Sequence, residues 1–305
     1  MTFNALNSGP ILLLGSTGRL GKSLLNGLTA RKCQIFAPKR NELDFEWPDF
    51  DECLKKYQPA VIINCAAFNG PEQCEENGLK AKRINSYCVG ILAQYARQTG
   101  ALLIHYSTDY VFDGSKKEAL TEESETNPVN AYGWSKLNGE KNIRDHNPCH
   151  LIFRVSSIYG DDLTGPLNVL KQAAAGKGTI NNPIEVLHQL CNPISVRKIT
   201  ELTLEIMEEM SYNYWRLLSG NYHMITDESI WKRDFAVDTL KMAYGINKHF
   251  YVREGGLPIK RPIYCNLSSS KIQMVFENGN YTSANADMAE TIEYLKERNL
   301  IPSLG

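Results

Sequence analysis

Short apolar segments alternate with segments of helical periodicity through the first half of the chain. The apolar runs are nearly continuous, which is typical of parallel strands that are covered on both faces. They lie at residues 11–14, 34–37, 60–64, 101–106 and 150–154. The helical segments between them lie at residues 20–31, 50–57, 79–99 and 131–145. This alternation predicts an α/β fold with a doubly wound parallel sheet.

Beyond residue 160 the pattern changes. Helices are predicted at residues 166–175, 196–210, 230–244 and 286–298, with a short strand near 221–225. Residues 254–262 are rich in glycine and proline, which predicts a loop. The second half therefore fits a smaller, mostly helical C-terminal region that closes over the carboxyl edge of the sheet.

Composition narrows the class of protein. The chain has 305 residues, 43% of them hydrophobic and 22% charged, with a formal net charge of −1. Without a basic cluster we expect no nucleic-acid partner, and without a long apolar run we expect no membrane span. Eight scattered cysteines without Cys-x-x-Cys predict reduced thiols and a cytoplasmic location. The six histidines have no paired spacing, so no metal is expected.

A glycine-rich segment, GSTGRLG, joins the first predicted strand to the first helix. Gly15, Gly18 and Gly21 permit a tight turn and a close approach of the backbone to a pyrophosphate, which the helix N-terminus favours. Two other interpretations compete with this one: a ligand-free turn and a nucleoside-triphosphatase P-loop. The P-loop spacing fails because Ser16 stands where the first glycine belongs, and the third strand ends at Asn64 instead of aspartate.

The end of the second strand indicates which dinucleotide would bind. An acidic residue there would hold the ribose hydroxyls of NAD. This chain instead has Lys39 and Arg40 after Pro38. Two cations favour the 2′-phosphate of NADP(H), with NAD(H) as the alternative.

Tyr132 and Lys136 stand four residues apart on a predicted helix, and so on one helical face. An ammonium beside a phenol favours the phenolate and lowers the tyrosine pKa, which suits proton transfer to a ketone oxygen. A strand-end hydroxyl, from Ser107 or Thr108, can hold the carbonyl. Tyr244 and Lys248 repeat the spacing, but Gly245 predicts that their helix ends there.

Several of these segments resemble the extended short-chain dehydrogenase/reductases, and within them the dTDP-4-dehydrorhamnose reductase family. The matching segments run from residue 11 to 160 and are GSTGRLG, RNELDF, PAVIINCAAF, HYSTDYVFDG, NPVNAYGWSKLNGE and HLIFRVSSIYG. KRPIYCNLSSSKI and HQLCNP are fainter matches in the second half. The resemblance implies a Rossmann-like NAD(P)-binding domain at residues 1–160, which takes in about 188–228 as well. It implies a smaller substrate-binding region at 161–187 and 229–305.

The resemblance also implies roles for individual residues. The implied catalytic residues are Thr108, Tyr132 and Lys136. The implied cofactor contacts are Gly15, Thr17, Gly18, Arg19, Leu20, Gly21, Lys39, Arg40, Asp44, Phe45, Cys65, Ala66, Ala67, Tyr132 and Lys136. The implied substrate contacts are Glu72, Ser107, Asp109, Tyr110, Ser157 and Arg261, and Asn85 matches a structural position.

The chain departs from the family pattern where the nucleotide base would bind. Ser157 stands where the family commonly has tryptophan, and Asn69 and Pro71 replace threonine and valine. Loss of the ring removes a stacking surface for the base. The resemblance implies NAD(P)H-dependent reduction of the C4 ketone of a nucleotide-activated deoxysugar, as in dTDP-rhamnose biosynthesis, with the base and sugar left open.

Two alternatives to a ketoreductase remain. One is a non-catalytic dinucleotide-binding regulatory subunit, like the β subunit of methionine adenosyltransferase, which shares the family fold. The other is an epimerase or dehydratase, and Tyr110 disfavours dehydration because it stands where a dehydratase has glutamate. The sequence leaves the oligomeric state open, with a homodimer as one alternative.

Overall fold

The structure is a computed structural model, and it describes residues 4–147, 149–210, 215–253, 258–277 and 279–304. The predicted loop at 254–262 lies partly outside these residues. The strands are β1 Ile11–Leu14, β2 Ile35–Phe36, β3 Val61–Asn64, β4 Leu102–Thr108, β5 His150–Val155, β6 Ile184–Leu187, β7 Leu190–Cys191, β8 Gly220–His223, β9 Ile230–Trp231 and β10 Phe250–Arg253.

The α-helices surround these strands and are connected by shorter turns. They are α1 Arg19–Ala30, α2 Phe50–Leu54, α3 Pro71–Glu76, α4 Gly78–Lys82, α5 Cys88–Thr99, α6 Ala131–His146, α7 Asn168–Ala174, α8 Val196–Glu209, α9 Lys232–Tyr244, α10 Ser270–Val275 and α11 Ala284–Glu297. No helix of the described ranges is both long and apolar enough to cross a membrane.

Six strands form one parallel sheet in the order β2-β1-β3-β4-β5-β8. Alternate side chains of each strand enter different cores, as the pleat requires. On β1, Ile11 and Leu13 pack in a core with α1 and α8, whereas Leu12 and Leu14 pack in a second core with α5. Burial on both faces explains the continuous apolar runs and confirms the predicted doubly wound fold.

The second half adds a third core beside the sheet. It joins α7, α9 and α11 to the short parallel pair of β6 and β10. Residues 188–228 contribute β8 to the main sheet and α8 to its α1 face. This placement is compatible with the predicted domain boundaries, which stay a prediction.

The predicted helix at 79–99 is interrupted. Residues Arg83–Tyr87 form a π-helical turn between α4 and α5. Within it the Asn85 amide accepts from the Phe68 backbone N–H and donates to the Phe68 carbonyl, both at 2.8 Å. A Cβ on Gly139 of α6 would lie 2.2 Å from the Asn85 carbonyl oxygen. The turn therefore coincides with a close crossing of two helices, which local helical periodicity does not reveal.

Candidate active site

A cavity of about 870 Å³ lies where the carboxyl ends of the parallel strands meet the second half of the chain. Side chains that follow different strands converge at such an edge, which is where open α/β sheets bind ligands. Predicted site residues that line the cavity are Gly18, Arg19, Leu20, Gly21, Cys65, Ala67, Ser107, Thr108, Asp109, Tyr110, Tyr132, Lys136 and Ser157. Predicted site residues outside its lining are Gly15, Thr17, Lys39, Arg40, Asp44, Phe45, Ala66, Glu72 and Arg261.

The glycine turn has the backbone geometry that a phosphate cradle requires. Gly15 has φ +77°, and a Cβ there would lie 2.6 Å from the backbone nitrogen of Ala66. Gly18 precedes α1 and offers no side-chain cap, and the first turn of α1 holds no acidic residue. The first turn of this twelve-residue helix therefore lines the cavity and carries no acidic residue of its own. These features fit the pyrophosphate of a dinucleotide.

Replacing Gly21 with alanine is expected to lower the free energy of unfolding by about 1–3 kcal/mol. The new Cβ would lie 2.1 Å from the Gly15 carbonyl oxygen, so the turn and the helix must separate. Gly78→Ala is the control, because nothing lies within 4 Å of its Cβ position. Chemical denaturation of both variants without cofactor tests this, and equal stabilities would contradict it.

Arg19 connects the glycine turn to the second half of the chain. Its Nε donates to Asp162 Oδ2 and its Nη1 to the Ile158 carbonyl, both at 2.9 Å, and its Nη2 donates to the Thr164 hydroxyl. The side chain lines the cavity, but its described hydrogen bonds join two walls of the site. The predicted cofactor contact is compatible with this position and stays a prediction.

The cationic pair at the end of β2 lies outside the cavity lining. Arg40 is 66% exposed, donates from Nε to Asp44 Oδ2 at 2.8 Å and forms a second ion pair with Glu46. Lys39 is exposed as well. Phe45 is buried and packs on Phe50 at 4.7 Å between ring centroids. The acidic partners of Arg40 were not anticipated from the sequence.

Thr108 and Tyr132 meet at the cavity wall. Thr108 ends β4, and its hydroxyl donates to Asp109 Oδ1 at 3.0 Å and accepts from the Tyr110 N–H at 3.2 Å. Tyr132 lies in the first turn of α6, which is capped by the side chain of Asn130. Burial raises the Tyr132 pKa, and a hydrogen bond with Thr108 only partly opposes this. The expected lowering of the phenol pKa by the lysine is therefore wrong for this structure, because desolvation dominates.

Lys136 is buried one turn further along α6. Its Nζ donates to the Tyr106 carbonyl at 2.7 Å and lies 3.1 Å from His105 Nε2. Burial lowers the Lys136 pKa to about 8, against the raising effect of Glu140. Tyr244, the alternative tyrosine, is remote from this arrangement: it ends α9 and donates to the Pro302 carbonyl at 2.6 Å.

The predicted substrate contacts have different surroundings. The Ser107 hydroxyl donates to Glu140 Oε1 at 2.5 Å, so its described hydrogen bond is directed into the core. Asp109 is buried and accepts from the Ser156 hydroxyl at 2.6 Å, and burial raises its pKa against that hydrogen bond. Ser157 has φ +44°.

Glu72, Arg261 and Tyr110 form a group beside the cavity. Arg261 pairs with Glu72 through Nη2 and donates from Nη1 to the Tyr110 hydroxyl at 3.2 Å. The Tyr110 ring stands edge-to-face on Tyr132, with centroids 5.9 Å apart. Glu72 and Arg261, which are far apart in sequence, are thus connected through Tyr110 to the Tyr132 ring.

Sequence reasoning missed several side chains of the site, among them Lys232 and His105. Lys232, at the start of α9, lines the cavity, but nothing in its local sequence indicates that position. His105 contacts Lys136, and alternation along β4 could have placed it on the same face as Ser107.

Known proteins are similar to this chain in sequence and in fold. Residues 9–294 match the family model described as the RmlD substrate binding domain. The dTDP-4-dehydrorhamnose reductase of Shigella flexneri is 30% identical over 283 residues, which cover 87% of this chain and 91% of that protein. Subunit beta of methionine adenosyltransferase 2 from Rattus norvegicus is 34% identical over 161 residues, covering 50% of this chain and 47% of that protein.

Solved structures share the architecture over nearly the whole chain. A dTDP-4-dehydrorhamnose reductase from Clostridium acetobutylicum has a TM-score of 0.83 and 28% identity, covering 94% of this chain and 99% of that one. A dTDP-4-dehydrorhamnose reductase from Bacillus anthracis in complex with NADP has a TM-score of 0.82 and 22% identity, with the same coverage. At 22% identity the second likeness shows the fold alone.

Proposed function

The chain belongs to the family of the RmlD substrate binding domain, and from that premise we propose that it is an NAD(P)H-dependent reductase of nucleotide-activated 4-keto deoxysugars. Membership confirms the resemblance inferred from the motifs. The observation that carries the proposal is the convergence of Thr108, Tyr132 and Lys136 on the cavity that the glycine turn also lines. One wall of the cavity carries the proposed proton donor, and the other wall carries a turn that can hold the phosphates of a dinucleotide. Reduction of a ketone by a bound dinucleotide requires both.

In the proposed reaction Tyr132 donates its phenolic proton to the C4 carbonyl oxygen. Its raised pKa keeps the phenol protonated at neutral pH, which is the form a donor needs. The Thr108 hydroxyl hydrogen is directed at Asp109, so it would have to turn toward the substrate oxygen to hold it. A bound nicotinamide would supply the hydride. Lys136 supplies a cation when protonated, and Gly15, Gly18 and the start of α1 would hold the pyrophosphate.

A screen of candidate substrates tests this function. Enzymatically prepared 4-keto sugar nucleotides with different bases are offered in turn, and oxidation of NADPH and NADH is followed. We expect turnover with at least one of them, and because Ser157 offers no ring, weak discrimination between bases. Tight binding of NADPH without oxidation by any keto sugar nucleotide would contradict the proposal.

NADP(H) is the proposed cofactor, with NAD(H) as the alternative, on the basis of Lys39 and Arg40. Arg40→Ala is expected to weaken NADPH binding about tenfold, the effect of losing one charge-assisted hydrogen bond at an exposed site, and to leave NADH binding unchanged. The Arg40 side chain is 66% exposed, so its ion pairs are weak and do not prevent contact with a phosphate.

Arg31→Ala is the matched control for Arg40→Ala, because it removes another exposed arginine that pairs with a glutamate. Calorimetric titration of each variant with both cofactors gives the comparison. Equal losses for NADPH and NADH would refute a 2′-phosphate contact.

A second candidate function is a non-catalytic regulatory subunit. It is favoured by the likeness to subunit beta of methionine adenosyltransferase 2 over half of the chain. A stoichiometric complex with a methionine adenosyltransferase catalytic subunit, together with no reductase activity, would establish it. The presence of both Tyr132 and Lys136 at the cavity favours the reductase. The cytoplasmic location and the homodimer stay predictions.

A further inference from the structure

Three buried polar side chains form a chain behind the cavity. Asn64, His105 and Lys136 are 1%, 0% and 2% exposed. Asn64 ends β3 and lies opposite His105 in the register of β3 and β4. The Asn64 Nδ2 lies 3.1 Å from His105 Nδ1, and the His105 Nε2 lies 3.1 Å from Lys136 Nζ. The sequence motifs assign no role to Asn64 or His105.

The hydrogen bonds of Asn64 determine where the histidine carries its proton. The Asn64 Oδ1 accepts from the backbone N–H of Ala66 at 3.0 Å, so its amide nitrogen faces His105. An amide NH₂ is a donor only, and His105 Nδ1 must therefore be an acceptor. Burial lowers the His105 pKa well below its ordinary value, so the ring is neutral. A neutral ring that accepts at Nδ1 carries its hydrogen on Nε2, which faces Lys136.

An N–H directed at Lys136 favours one protonation state of the lysine. A neutral amine accepts a hydrogen bond from Nε2–H, whereas an ammonium has no acceptor and would oppose it. The Tyr106 carbonyl takes one hydrogen of the lysine at 2.7 Å in either state. We propose that His105, held in the Nε2–H tautomer by Asn64, is a positioning residue that presents a donor to Lys136 and favours its neutral amine.

The other groups that face Lys136 do not reverse this effect. Glu140, on the same helix, favours the ammonium, but it is already paired with Arg154. Cys65, after β3, and Cys74, on α3, would favour the ammonium only as thiolates. Burial raises the pKa of both thiols, that of Cys74 to about 11, so they are neutral where the lysine titrates.

The effect of this inference on the pH dependence of turnover rests on the proposed reductase function. If turnover requires the ammonium of Lys136, activity falls as pH rises through the lysine pKa of about 8. His105 and Asn64 would then lower the upper pH limit of the enzyme further, without touching substrate.

The tautomer is tested directly on the cofactor-free protein. Protein labelled with ¹⁵N-histidine gives long-range proton–nitrogen correlations that distinguish a protonated ring nitrogen from an unprotonated one, and loss of one signal set in His105→Gln assigns His105. We expect a proton on Nε2 and none on Nδ1. A proton on Nδ1 overturns the inference, and this result needs no turnover, so it is independent of the proposed function.

Asn64→Asp tests the link to the lysine. An aspartate keeps the acceptor for the Ala66 N–H but replaces the donor that faces Nδ1 with an acceptor, which moves the ring hydrogen to Nδ1. Nε2 then accepts from the ammonium, and the Lys136 pKa is expected to rise by at least one unit, a tenfold gain in proton affinity. Asn64→Leu is the control for the added charge, because it removes the donor to Nδ1 without introducing a carboxylate and so also frees the ring hydrogen to move to Nδ1.

The Lys136 titration is read from lysine ¹³Cε shifts, assigned by comparison with Lys136→Met. A rise in both Asn64→Asp and Asn64→Leu supports the inference, and an unchanged or lowered pKa in either variant overturns it. If Asn64→Asp does not fold, the wild-type tautomer decides. In an active enzyme the alkaline decline of kcat should move upward with the lysine pKa.

Discussion

Replacing Tyr132 with phenylalanine is expected to reduce turnover by about 10²–10⁴-fold while binding of the reduced cofactor is retained. The substitution removes only the hydroxyl, so the ring can keep its edge-to-face packing on Tyr110. The loss follows from the proposed role of that hydroxyl as the donor of the proton that the ketone oxygen receives. Steady-state kinetics and fluorescence titration with NADPH measure the two quantities.

Tyr244→Phe is the control for Tyr132→Phe. It removes an equivalent hydroxyl at the same Tyr–Lys spacing, but one that donates to the Pro302 carbonyl near the end of the chain. Unchanged kinetics are expected there. If Tyr132→Phe also retains wild-type turnover, the proton donor is another group and the proposed mechanism fails.

The fold was predictable because its signal is local. β1 has the predicted bounds, and α6 begins at the predicted residue. These elements are specified by apolar runs and helical periodicity within a few turns of the chain. The interruption at Arg83–Tyr87 was not predictable from the same signal, because it coincides with the crossing of α6 at Gly139, more than 50 residues away.

The candidate site was predictable only in part. The motif order placed Thr108, Tyr132 and Lys136 in one region, because strand ends and helix starts meet at one edge of a parallel sheet. The partners of these side chains depend on tertiary contacts. Arg19 and Asp162 are 143 positions apart, and no local pattern relates them. Desolvation also depends on the whole fold, which is why the sequence predicted the wrong direction for the shift of the Tyr132 pKa.

A buried ion pair supports the strand end that carries the proposed active site. Arg154 of β5 and Glu140 of α6 are 2% and 0% exposed, with Nη2 and Oε2 2.8 Å apart and Nε and Oε1 3.0 Å apart. Glu140 also accepts from Ser107, which precedes Thr108 on β4. The pair therefore connects β5, α6 and the end of β4.

Arg154→Met is expected to lower the free energy of unfolding by about 3–5 kcal/mol at pH 7, because it leaves a buried carboxylate without its main partner. Arg144 still contacts Glu140 at 3.2 Å, which places the expected loss near the lower end of that range. Urea denaturation of wild type and variant measures the difference. A loss below about 1 kcal/mol would mean that the carboxylate is satisfied by its other partners.

The pH dependence of this loss has a definite sign. In the wild type, burial raises the Glu140 pKa, but Arg154 and the hydrogen bonds outweigh it and hold the pKa below its ordinary value. Glu140 thus contributes stability above its unfolded pKa of about 4.3, and this is lost as pH falls through the folded pKa. Without Arg154 burial dominates, the folded pKa rises, and the carboxyl takes up a proton on folding. The difference between wild type and Arg154→Met should therefore shrink as pH falls from 7 toward 4.

The double variant Glu140→Leu with Arg154→Met separates the cost of an unpaired charge from the cost of lost packing. Replacing both members of a buried pair with apolar residues is often neutral or stabilising, so the double variant should be more stable at pH 7 than Arg154→Met alone. Its recovery should be incomplete, because the Ser107 hydroxyl loses its acceptor at 2.5 Å. If the double variant is as unstable as the single one, removing the unpaired charge does not restore stability. The lost packing of Arg154 over the Phe112 ring and the unsatisfied Ser107 hydroxyl would then account for the cost.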